Sequence, residues 1–210
     1  MKSWVSPFES ALILATFATI VLTIFVVELT DKDALLLLTL ATRIRPRTAF
    51  LSGAIAFTIT SAVIVTLGYF LIKVVPIYWV RVAGGFVMIG FGLFEYLRKD
   101  GEKERVLKTA QGSEWAVFLG AVSMLVLLDL AGDATEVMTI VFVARFSNAL
   151  LVFFGAVLAL VVASGIETFL GKNLGNVLSA RRVRIMSLIV FVIIGIVIIA
   201  TTVLGVPSFL

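Results

Sequence analysis

Residues 26 to 38 read VVELTDKDALLLL, and four charged residues, Glu28, Asp31, Lys32 and Asp33, crowd into six positions of an otherwise apolar stretch. The surroundings decide how this stretch must be read. The chain of 210 residues is 61% hydrophobic and 14% charged, with a mean hydropathy of +1.17, far above the apolar share of a soluble domain. Charge-free runs cover Ser10 to Val27, Thr48 to Ile72, Val82 to Phe94, Trp115 to Leu128, Phe146 to Ile166 and Ile185 to Leu210. A hydrocarbon core of roughly 30 Å is crossed by about 20 helical residues, so the runs predict six transmembrane helices. Unbroken apolar runs also exclude a membrane β-barrel, whose strands alternate. The N-terminal MKSWVSPFESALIL has one Lys and no small-residue cleavage site, so no removable signal peptide is expected.

Cys and His are both absent. That removes disulfides, iron–sulfur clusters and imidazole relays, and leaves oxygen as the only ligand type for an ion. The pI near 9.6 reflects basic residues gathered between spans rather than a nucleic-acid surface. The first, third and fifth loops hold twelve Lys and Arg residues, and the opposite side holds Lys2, Lys73, Arg81 and Arg145. Positive residues accumulate on the cytoplasmic side, so both termini are expected outside a cell membrane crossed several times.

Shifting the chain by 102 residues pairs Asp31 with Asp133, Arg43 with Arg145, Gly53 with Gly155 and Ala54 with Ala156, without a gap. The order is the same in each half: an intramembrane acid, an Arg about twelve residues on, then Gly-Ala opening the next span. This predicts an all-α membrane protein built from two three-helix repeats, residues 1–97 and 114–210, joined by a charged cytoplasmic linker, 98–113 (RKDGEKERVLKTAQGS). An odd number of spans inverts the second copy relative to the first, the architecture of many secondary transporters.

The second copy of the opening stretch is LLDLAGDATEVMTIVF at 127 to 142, with Asp129, Asp133 and Glu136. The two stretches together carry six carboxylates (Glu28, Asp31, Asp33, Asp129, Asp133, Glu136) against one base, Lys32. Five net negative charges do not rest in low dielectric without protons or a bound cation. On continuous helices Glu28, Asp31 and Lys32 fall within roughly 100° of arc, and Asp129, Asp133 and Glu136 within about 60°. Asp33 points away. Yet Ser10 to Thr42 would be about 50 Å long as a straight helix, so a tilt, kink or break is expected, with Thr30 and Gly132 as the natural places. Glu167, at the end of the run VVASGIETFL, is a secondary candidate that could equally cap its span, and Asp33 could equally pair with a loop Arg. The Gly-rich run RVAGGFVMIGFGLFEYL at 81 to 97 is expected to let helices approach closely. Arg43 and Arg145 are expected to mark helix ends.

ELTDKD at 28 to 33 and LAGDAT at 130 to 135 resemble the paired Glu-x-Gly-Asp-Lys/Arg-Ser/Thr motifs of a cation/proton exchanger family, once catalogued as uncharacterised protein family 0016, which includes the Golgi calcium and manganese transporters. The resemblance covers nearly the whole chain. It implies exchange of Mn²⁺ or Ca²⁺ for protons, with Glu28, Asp31, Asp129, Asp133 and Glu136 as ligands and Thr30, Lys32, Gly132 and Thr135 in support. Thr30 and Asp33 depart from the first motif; Leu130 replaces the Glu of the second and Ala134 its base. Asp129 and Glu136 are the acids available to compensate. Hard divalent cations suit such oxygen ligands. The partners expected are divalent cations, protons and the lipid bilayer, with no nucleic acid, no resident cofactor and homo-oligomerisation left open. Three alternatives stay open: a non-transporting scaffold or degenerate exchanger, an intramembrane aspartyl protease suggested by the tripeptide AGD, and transport of Na⁺ or a small amine.

Overall fold

Among the described residues eight α-helices follow one another: α1 Pro7–Thr30, α2 Lys32–Arg43, α3 Pro46–Val74, α4 Ile77–Leu97, α5 Glu114–Leu130, α6 Ala134–Phe146, α7 Ala149–Leu174 and α8 Ala180–Leu204. The computed structural model describes residues 7–97, 113–130, 133–146, 148–174 and 180–205; the side chains of Lys32 and Asp33, all of Gly132 and nearly all of the linker 98–113 lie outside the described residues. Five helices (α1, α3, α4, α7 and α8) are each long and apolar enough to cross a membrane, and α5 with α6, whose axes differ by 61°, make a sixth, broken span. The chain is a multi-pass membrane protein. Its outer surface agrees, since Leu14, Leu67, Phe86, Leu150, Phe154 and Ile196 are all largely exposed, an arrangement stable only against lipid.

The shift of 102 residues recurs in the helix boundaries. α2 starts at Lys32 and α6 at Ala134, 102 residues later; α3 and α7, and likewise α4 and α8, start 103 residues apart. The inversion is visible in the packing. Phe50 of α3 lies beside Phe169 of α7 while Gly53 faces Ser164, so these related helices run antiparallel. The related pair α4 and α8 is antiparallel too, with Gly85 against Gly195 and Gly92 against Leu188 and Phe191.

Apolar packing cannot by itself hold helices together in lipid, where exposed and buried Leu are solvated alike, so close backbone approach matters more than greasiness. A Cβ on Gly84 would lie 2.5 Å from Val141, one on Gly85 2.5 Å from Ile199 and one on Gly92 3.2 Å from Phe191. These three act as the sequence leads one to expect. Gly90 does not: nothing lies within 4 Å of its Cβ position. Arg43 is the last residue of α2 and Arg145 the last but one of α6, as expected. Between the halves Arg45 pairs with Glu114, but both side chains are more than two-thirds exposed. Pairs this wet contribute ~1 kcal/mol at most, and Glu114→Gln is expected to leave the detergent melting temperature unchanged.

Candidate cation site

Both acidic motifs sit at helix breaks. α1 stops at Thr30, Asp31 is non-helical and α2 starts at Lys32; α5 stops at Leu130, Asp133 is non-helical and α6 starts at Ala134. The interruption expected near Thr30 and Gly132 is present. The continuous-helix arcs are not, because Asp31 and Asp133 lie outside any helix and Asp129 and Glu136 belong to two different ones. The acids therefore come from separate elements instead of lining one face of each motif.

A break leaves terminal carbonyls without intrahelical donors. At the first break the Thr30 hydroxyl donates to the carbonyls of Val27 at 2.9 Å and Val26 at 3.1 Å. Asp31 N–H turns back to the Glu28 carbonyl at 2.9 Å. The Thr30 carbonyl accepts from the hydroxyl of Ser187 on α8. At the second break Asp133 Oδ1 accepts from Ala134 N–H, a carboxylate at the N-terminus of α6 where capping and the helix dipole both favour it. Asp133 Oδ2 is buried and has no hydrogen-bond partner among the described residues.

The two motifs meet directly. The Thr135 hydroxyl in the first turn of α6 donates to Glu28 Oε2 at 3.1 Å, across 107 positions of sequence. Glu28, Asp31, Asp129, Asp133, Glu136, Thr30 and Thr135 are all buried, Glu28 and Asp31 at 0% and 1% exposure. Leu130, where the family motif has Glu, is 40% exposed, whereas Asp129 is 3% exposed. The acid at this helix end thus sits one residue before the motif position, on the buried side. Among the described residues no group of three or more carboxylates is arranged to hold a metal ion.

The model of the GDT1 family of divalent cation/proton antiporters matches residues 16–103 and again 117–205. The chain belongs to this family. A GDT1 protein is a transporter and not an enzyme; its transported species are cations and protons, and its solvent is the bilayer. Two matched segments in one chain fit two inverted repeats. Comparison with curated proteins and with solved structures returns no significant match.

Within this GDT1 chain, sequence reasoning missed Ser187. Most hydroxyls in the spans bond back into their own helix, as Ser52, Thr58, Thr66, Thr139, Ser164 and Thr201 do, whereas Thr135 and Ser187 bond across helices. A lone Ser in IMSLIVFVIIG was the available signal. Glu167 proves to be buried, at 4% exposure, seven residues before the end of α7. It continues the face on which Gly155, Ala156, Ala159, Ala163 and Ser164 are buried.

Proposed function

We propose that this chain exchanges Mn²⁺ or Ca²⁺ for protons across the cell membrane by alternating access, with Glu28, Asp31, Asp129, Asp133 and Glu136 as ligands and Thr30, Lys32, Gly132 and Thr135 in support. Residues 1–97 and 114–210 act as the two repeats, 98–113 as their cytoplasmic linker, and both termini lie outside. Asp33 and Glu167 are secondary acids in this reading.

The observation that carries the reading is unequal packing of equivalent helices. α4 packs along α6, with Gly84 seated on Val141, whereas the related α8 barely touches α2. Met186, which corresponds to Gly84, is half exposed. An inverted repeat closed at one end and open at the other is what alternating access requires, since exchanging the two packings turns the open side over. The closed end carries the α3–α4 and α6–α7 connections. At the other end a cavity of about 480 Å³ is lined by Thr42, Arg43, Arg45, Thr48 and Glu114; by the distribution of Lys and Arg, that end is cytoplasmic.

Exchange follows from charge compensation. Buried carboxylates need positive charge, which one dication or protons supply in turn. Oxygen ligands favour Ca²⁺ or Mn²⁺ over Mg²⁺, which dehydrates reluctantly. Purified protein in liposomes, with entrapped dyes for Mn²⁺, Ca²⁺ and pH, tests the reading. The expected result is Mn²⁺ or Ca²⁺ uptake with proton efflux; flux of neither cation, from protein that remains folded, favours the scaffold reading.

A further inference from the structure

We propose that Ser187 is a positioning residue of the cation site, its hydroxyl holding the Thr30 carbonyl, and with it the Asp31 bend, in the geometry that binds the cation. This inference rests on the reading of the two motifs as the cation site.

At the broken end of α1, the Val26, Val27 and Glu28 carbonyls find donors within the motif itself, from the Thr30 hydroxyl and Asp31 N–H. The Thr30 carbonyl is served from another helix, by Ser187 at 2% exposure on α8. A buried carbonyl left without a donor is costly, and one that keeps a directed donor is fixed in orientation. Asp31 follows Thr30 immediately, so whatever orients this peptide also orients the start of the bend.

The repeat makes Ser187 distinctive. Its equivalent is Gly85 on α4, which has no hydroxyl and instead packs against Ile199 and the Gly195 carbonyl. At the second break Asp133 caps α6 with its own carboxylate. The first motif thus leans on α8. Among the described residues the α4–α8 pair is the most extensive helix contact, and it touches both motif-bearing segments: through Ser187 at the first break, and through Gly84 on Val141 of α6. Ser187 transmits the position of that pair to the first motif.

Ser187→Ala, Ser187→Gly and Ser187→Thr in the full chain test this. Two measurements are made: Mn²⁺-driven proton flux in liposomes, and equilibrium Mn²⁺ binding in detergent from the loss of the free-ion paramagnetic resonance signal. Loss of one hydrogen bond of this kind corresponds to about a three- to tenfold change. The Ala and Gly variants are expected to raise KM and the Mn²⁺ dissociation constant by that factor, with maximal flux within about twofold of wild type and the melting temperature lowered by no more than a few degrees. The Thr variant, which keeps the hydroxyl, is expected to bind as wild type does. Wild-type affinity in Ser187→Ala overturns the proposal, as does an equal loss in Ala and Thr variants, which would mark a packing role. A melting temperature so low that the variant is unfolded under the binding conditions, with affinity restored where it is folded, overturns it too. Failure of the wild-type chain both to bind Mn²⁺ and to take up Ca²⁺ in the liposome assay overturns the reading of the site itself, so the two failures are separable.

Discussion

Asp133→Asn is expected to abolish cation-driven proton movement, with exchange falling by about 100-fold or more, beyond the usual effect of disturbing a ligand's neighbours, while the protein stays folded. Asp133 has two separable roles in the structure. Its Oδ1 caps α6 through Ala134 N–H, and Asn caps helices as well as Asp does. Its Oδ2 is buried and has no hydrogen-bond partner among the described residues, and this oxygen is the one available to a proton or a cation. The substitution keeps the cap and removes the charge. The liposome assay with Mn²⁺, Ca²⁺ and pH dyes reads the loss, and an unchanged melting temperature in detergent shows that the fold survives. Exchange at the wild-type rate would reduce Asp133 to a helix cap and remove the residue on which the proposed site depends most.

The second large effect concerns stability. Gly195→Leu is expected to prevent assembly of the helix bundle, and Gly195→Ala to destabilise it by about 1–3 kcal/mol, the ordinary cost of overpacking. A Cβ on Gly195 would stand 2.6 Å from the Gly85 carbonyl oxygen and 2.7 Å from Ile89 Cγ1, and one on Gly85 2.9 Å from the Gly195 carbonyl. Since the obstacle is backbone, relief comes only by moving α4 and α8 apart. In lipid no hydrophobic effect repairs that loss. Gly90→Ala on α4 is the control: nothing lies within 4 Å of its Cβ position, and Ala is the better helix former by about 1 kcal/mol. Thermal unfolding in detergent is expected to show a large drop for Gly195→Leu, a smaller one for Gly195→Ala, and no drop for Gly90→Ala. Equal changes for Gly90→Ala and Gly195→Ala would show that interhelical approach does not distinguish these positions.

Gly90 and Gly195 also show where reading a sequence stops. Both are glycines in apolar spans, and only the partner helix distinguishes them. The spans themselves were legible because hydropathy is a local property, and the repeat was legible because Asp31 and Asp133, Arg43 and Arg145, and Gly53 and Gly155 keep one spacing. Breaks at the motifs followed from length, as 33 residues of straight helix do not fit a bilayer. What those breaks do to the acids was not legible: arcs drawn at 100° per residue presuppose a helix that stops just before Asp31. The burial of Asp129 beside an exposed Leu130 likewise depends on which way the end of α5 faces.

The sequence alone thus determined the membrane environment, the inverted duplication and the acidic, oxygen-only chemistry, because charge, apolarity and spacing are written along the chain. Only the tertiary structure decided that Thr135 reaches Glu28, that Ser187 holds the Thr30 carbonyl, and that α4 closes on α6 while α8 stands off α2. Each of these is a distance between helices far apart in sequence, set by the packing of both halves at once.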